Sequence, residues 1–158
     1  MLRKILLLIL MVTLLSIYHF SQEDYLKITT IVTPRTIHQG EEGILKIKIT
    51  PKNGLRISSH PEFIIKLNNN NDFSFPKVFF TASELNFQTK QEDDAIILDL
   101  EKEIEIPFKV KENSLIGRHK ISGEVIFTAV FQDHWSLKTY QTFITDFFSK
   151  KNLKKKKK

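Results

Sequence analysis

Ile44-Leu45-Lys46-Ile47-Lys48-Ile49-Thr50 is the stretch that decides the fold. Leu45, Ile47 and Ile49 fall on one face and Lys46, Lys48 and Thr50 on the other, the period of two that a half-buried strand imposes. Pro51-Lys52-Asn53-Gly54 follows and predicts a turn, because proline presets φ and Asn-Gly accepts positive φ. Leu55-Arg56-Ile57-Ser58 then begins a short strand. Another is expected over 63–67, closed by the polar run Asn68-Asn69-Asn70-Asn71-Asp72. Glu103-Ile104-Glu105-Ile106 alternates again and leads into Pro107-Phe108-Lys109-Val110, where a proline without an N–H predicts an edge or a bulge. Gly123 is expected to introduce a strand over 124–131. After a turn at Gln132-Asp133-His134, a last strand rich in Thr, Tyr and Phe is expected over about 136–147. Strands are also expected near 26–32, 78–80 and 96–100, with a single helical turn around 83–88.

Short strands at frequent spacing, with no 3.6-residue apolar stripe in the body, predict an all-β chain: an immunoglobulin-like β-sandwich of seven to nine strands. The body, residues 22–149, has the usual size of one domain with its own core, and thirteen phenylalanines help to fill it. There is no cysteine. An exported β-domain could be braced by disulfides; this one must rely on apolar packing, and thiol chemistry is excluded.

The two ends differ from the body. Arg3 and Lys4 precede an apolar run, 5–20, which has the layout of a secretory signal and is somewhat shorter than the roughly 20 residues of a spanning helix. Residues 1–21 are therefore read as a signal peptide or an N-terminal anchor helix, with cleavage left open. The other end, 150–158, carries seven lysines and is expected to be a disordered tail. The chain has a net charge of +6, yet without Arg3, Lys4 and those seven lysines 15 basic side chains face 18 acidic ones. The body is thus mildly acidic, and no nucleic-acid face is expected. Lys154, Lys155, Lys156, Lys157 and Lys158 are the candidates for contact with an anionic membrane surface.

Three segments carry a resemblance. Gly43 to Thr50 runs through the Asn53-Gly54 turn into Leu55-Arg56-Ile57-Ser58-Ser59-His60-Pro61. Phe75-Pro76-Lys77 forms a short aromatic-proline element. The third and best is Gly117-Arg118-His119-Lys120-Ile121-Ser122-Gly123-Glu124-Val125-Ile126-Phe127-Thr128-Ala129. Together they resemble the N-terminal periplasmic domain of the thiol:disulfide interchange protein DsbD, over roughly Leu26 to Phe147. The resemblance implies the sandwich fold and an envelope location. It also places the family's two redox cysteines near Val130 and Trp135, neither of which can supply the thiolate that disulfide exchange needs.

Other chemistry is thinly represented. The histidines (His19, His38, His60, His119, His134) form no HExxH motif or close pair, so no metal site and no cofactor are expected. Asp133, His134 and Ser136 make a triad only on paper, without a nucleophile elbow. Glu92-Asp93-Asp94 lacks the spaced carboxylates of a calcium loop. Trp135, the only tryptophan, is read as packing at the end of the sandwich or, with His134, as a partner contact. The functional expectation is a non-catalytic periplasmic or envelope module that binds protein, through a sheet edge or the loop around Trp135. The alternatives are an accessory of thiol-disulfide or cytochrome assembly meeting a thioredoxin-like protein, and a peripheral module held by the lysine tail.

Overall fold

The computed structural model describes residues 24–52, 54–92, 95–132 and 135–152. The expected N-terminal helix, His134 and Lys154 to Lys158 lie outside them. The described chain is all-β, with strands β1 (Leu26–Thr33), β2 (Thr36–His38), β3 (Glu42–Pro51), β4 (Arg56–Ile57), β5 (Ile64–Leu67), β6 (Phe73–Ser74), β7 (Phe79–Thr81), β8 (Thr89–Glu92), β9 (Ala95–Leu98), β10 (Ile104–Val110), β11 (Gly117–Val130) and β12 (Ser136–Lys150). One sheet has the order β1-β3-β10-β6, the other β2-β12-β11-β5-β7, with β4 pairing β11 beyond β5; β8 and β9 form a separate hairpin.

The two sheets bury their facing sides against each other in one core. Leu45, Ile47 and Ile49 of β3 are buried as their alternation predicts. On the outer side Lys46 donates to Glu105 at 2.7 Å and to Glu103 at 3.2 Å. Those carboxylates raise the Lys46 pKa, the bond to Glu105 contributing most. The turn expected at 51–54 is present: Leu55 N–H donates to Lys52 O at 3.0 Å, and Gly54 takes φ of 68°, where a glycine is at no steric disadvantage.

Three expectations are corrected. The strands number twelve among the described residues, not seven to nine, because β2, β6 and β8 carry no readable alternation. Two of these are only two or three residues long, and β8 is exposed throughout. Gly123 does not begin a strand. It lies midway along β11, opposite Leu67 of β5 and Phe143 of β12. A Cβ there would come within 2.6 Å of both Lys66 O and the Phe143 ring, so close approach of the neighbouring chain requires glycine. The last strand continues three residues past Phe147, and Lys150, expected in the tail, pairs with His38 of β2.

Pro107 is accommodated as an edge residue would be. It pairs with Ile44 of β3, while β6, on the other side, reaches only Lys109 and Val110. The expected helical turn is also present, as a capped loop after β7. Thr81 and Glu84 form a capping box, with Thr81 N–H donating to Glu84 Oε2 at 2.9 Å and Glu84 N–H to Thr81 Oγ1 at 3.4 Å. Asn86, at φ of 55°, closes it in a Schellman arrangement: Phe87 N–H donates to Ala82 O and Asn86 N–H to Ser83 O, both at 3.1 Å.

Candidate functional site

The long hairpin β11–β12 ends where the sequence placed its candidates. Val130 is the last residue of β11, half-buried, facing Ser136 of β12 and Arg56 of β4. Phe131 N–H donates to Trp135 O at 3.0 Å and closes the turn. That bond brings the two aromatic side chains onto the same side. Their rings stack with centroids 3.8 Å apart and planes 4° from parallel. Tyr25 meets Phe131 edge-on at 5.8 Å, and its carbonyl accepts from Lys52 N–H at 3.0 Å. The 51–54 turn adjoins this cap through Gln132. Trp135 is thus both packed, on one ring face, and displayed, with 49% of its surface exposed. What the arrangement offers is an aromatic platform with one indole face stacked and the rest in solvent.

Beside it opens a cleft of about 470 Å³ lined by Leu55, Arg56, Ile57, Lys90, Glu92 and Asp99, among others. Four of its charged side chains pair with one another. Lys90 lies 2.7 Å from Asp99, and Arg56 lies 3.8 Å from Glu92. The hydrogen bond between Lys90 and Asp99 raises the first pKa and lowers the second. Glu92, the described member of the acidic run, is therefore matched by a cation; Asp93 and Asp94 lie outside the described residues. No cluster of three potential metal ligands occurs among the described residues.

The opposite end holds a grouping that sequence reasoning missed. Asp72 (the β5–β6 connection), His119 (β11) and Ser149 (β12) converge on the backbone of Leu115. His119 Nε2 lies 2.8 Å from both Leu115 O and Ser149 Oγ, and Nδ1 lies 3.5 Å from Asp72 Oδ2. Asp72 Oδ1 accepts from Leu115 N–H at 2.8 Å. Ser149 Oγ donates to Leu115 O at 2.6 Å. A carbonyl only accepts, so Nε2 carries a proton. An acid, an imidazole and a hydroxyl are present, but the hydroxyl proton is committed to a carbonyl and Ser149 is 2% exposed. The cluster ties the 111–116 loop to both sheets. Nothing local could have signalled it, since its members are separated by 47 and 30 residues and share no motif.

No family model matches the chain, and no curated protein matches it. Among solved structures, a cohesin module from a family 33 glycoside hydrolase of Clostridium perfringens is 9% identical with a TM-score of 0.47, over 82% of this chain and 100% of that one. Murine CRIg is 10% identical with a TM-score of 0.35, over 80% and 99% of the two chains. The major pilin subunit BcpA of Bacillus cereus is 10% identical with a TM-score of 0.35, over 78% and 39%. Likenesses this distant carry no argument about what the chain does.

Proposed function

We propose that this chain is a non-catalytic, exported binding domain of immunoglobulin-like architecture that meets an envelope protein through the aromatic cap at Trp135. The architecture rests on strand order: β1-β3-β10-β6 opposite β12-β11-β5-β7 follows the A-B-E-D and G-F-C-C′ sheets of a variable-type domain. It departs in that β6 precedes β7 along the chain, and in the added strand β4 on β11 and the separate β8–β9 hairpin. Export rests on Arg3 and Lys4 ahead of the apolar 5–20 run. The resemblance to the DsbD N-terminal domain suggests a thioredoxin-like partner. By that resemblance its redox positions would fall near Val130 and Trp135, so contact would persist here without electron transfer. The observation that carries the proposal is a half-exposed tryptophan held flat on Phe131 at that position.

Trp135 is the sole tryptophan, so its emission reports the proposed contact directly. Titrating the chain with a purified envelope thioredoxin-like protein should give a saturable change in emission. Trp135→Ala, followed by calorimetry, should weaken binding about tenfold or more, as hot-spot aromatics do. Equal binding by wild type and Trp135→Ala removes this surface; no binding by either removes the thioredoxin-like partner.

A second reading concerns the lysine tail. Lys150 pairs with His38 at the end of the sandwich away from Trp135, so a membrane contact through Lys154 to Lys158 would leave the aromatic cap accessible. It calls for binding to anionic vesicles that falls steeply with salt; salt-insensitive binding counts against it.

A further inference from the structure

We infer that the 111–116 loop docks on an anionic lipid surface, with Leu115 and Ile116 inserted among the lipids and the surrounding lysines on the headgroups; this rests on the lysine-tail reading and gives that contact an apolar half. Leu115 and Ile116 are 74% and 61% exposed, and Leu115 is the most exposed large apolar side chain among the described residues. Phe148, opposite Arg118 at the same end, is exposed as well. Scattered apolar side chains on a surface call for no account, but adjoining ones mark an interaction site. The backbone of Leu115 is held at both of its polar groups. Its N–H donates to Asp72 Oδ1, and its C=O accepts from His119 Nε2 and Ser149 Oγ. His119 and Ser149 are buried. Buried polar groups are thus spent on fixing a residue whose own apolar side chain stays in water.

The charge around the loop complements a negative surface. Lys111 opens the loop, Lys120 follows on β11, and Lys150 and Lys151 continue the chain past Ser149, whose hydroxyl bonds Leu115 O. All four lysines are exposed and pair with no carboxylate among the described residues. The acids of this end are engaged or turned elsewhere. Asp146 pairs with Arg118, Glu41 with His38, and Asp72 is spent on Leu115 N–H. Glu112 lies over Gly40 of the β2–β3 turn, and Glu42 faces Lys109 across the ladder. Asn152 Nδ2 donates to Gln39 O at 3.2 Å, so Lys154 to Lys158 follow from this same end. Lysines near an anionic leaflet add an attraction that salt screens; inserted apolar side chains add one that it does not. Two such signals together hold a protein where one alone binds marginally. Tyr25, through which residues 1–21 join the body, packs on Phe131 at the opposite end. Lipid contact at Leu115 is therefore separate from anything the apolar 5–20 run does.

The chain has no cysteine, so one introduced thiol takes one probe. Asn113→Cys puts an environment-sensitive fluorophore on an exposed position of the loop and leaves Leu115 and Ile116 in place. In the full chain its emission should shift to the blue, and be quenched by nitroxide-labelled lipid, on vesicles of phosphatidylcholine with phosphatidylserine. Vesicles of phosphatidylcholine alone should quench it far less. The same probe on Thr29→Cys, exposed on β1, should not respond to either. Replacing Leu115 and Ile116 together by Gln should raise the lipid concentration for half-quenching at position 113 on the order of tenfold. The urea midpoint should hardly move, because both side chains are exposed. A position-113 probe quenched no more than the Thr29→Cys probe, or quenched equally by neutral and anionic vesicles, overturns the proposal. So does half-quenching unchanged by the double Gln replacement; if replacing Lys154 to Lys158 by Gln then abolishes quenching, the tail reading stands alone. Quenching that survives the loss of those five lysines but not of Leu115 and Ile116 supports the loop contact and removes the tail reading.

Discussion

The two ends of the sandwich use the same residue type for opposite purposes. At the end away from the hairpin turn, Phe73, Phe108 and Phe147 interlock with centroids 5.2 to 5.7 Å apart. His119 stacks on Phe147 at 5.2 Å. Each of those phenylalanines is fully buried, and the adjoining polar groups are spent on holding the 111–116 loop. Gly43 lies beneath them; a Cβ there would come 2.8 Å from the Phe108 ring. At the hairpin end Leu55, Ile57, Phe127 and Ala129 are buried, and the aromatic pair Phe131 and Trp135 sits above them with half the indole in solvent. An aromatic ring buried on both faces stabilises a fold; one buried on a single face is pre-ordered for a partner at small conformational cost. The difference lies in what covers the second face.

That contrast can be broken most directly at Phe108. Phe108→Ala removes a buried ring from the centre of the aromatic cluster and should cost about 3–5 kcal/mol, read from the urea midpoint at unchanged m-value. A loss near 1 kcal/mol would mean that the cluster is loosely packed and that the two ends are alike. His119→Ala should cost about 1–3 kcal/mol, because the Leu115 carbonyl loses a donor and Phe147 loses the ring stacked on it. Hydrogen exchange should localise the effect to the 111–116 loop; a change spread evenly over both sheets would deny the latch role.

Trp135→Ala sharpens the comparison from the other side. Only the stack on Phe131 is lost, so about 0.5–1.5 kcal/mol is expected beyond the modest area buried. A cost equal to that of Phe108→Ala would make Trp135 a core residue and undercut its display. The smallest effect is expected at the exposed capping box, which belongs to neither end. The hydrogen bond from Lys77, followed by that from Thr81 N–H, holds Glu84 at a pKa of about 2 against an ordinary 4.5. A folded-state value below the unfolded one stabilises when the group is ionised. The benefit is therefore present above pH 4.5 and lost as pH falls toward 2. Glu84→Gln should differ slightly from wild type in urea midpoint at pH 7 and coincide with it near pH 2; a constant offset would assign the effect to packing.

Much of this was legible residue by residue, and the losses have physical causes. The alternation over 44–50 gave the buried and exposed faces of β3 correctly, since one core face is enough to print a period of two. β6 left no trace, because a two-residue strand has no period. Gly123 read as a boundary, because glycine marks turns far more often than mid-strand close approach, and the Lys66 carbonyl that excludes a side chain is 57 positions away. At the candidate site, Trp135 could be singled out as the lone tryptophan, but not the ring on which it lies. The Asp72–His119–Ser149 grouping was wholly hidden.

The sequence by itself determined the β-class, the absence of thiol chemistry and the contrast between a mildly acidic body and its basic ends, because period, composition and charge are properties of the chain read locally. Only the tertiary structure decided which aromatics are covered and which are offered, and which polar groups meet at the 111–116 loop. These depend on which distant segment arrives alongside, a matter settled when two sheets close over one core.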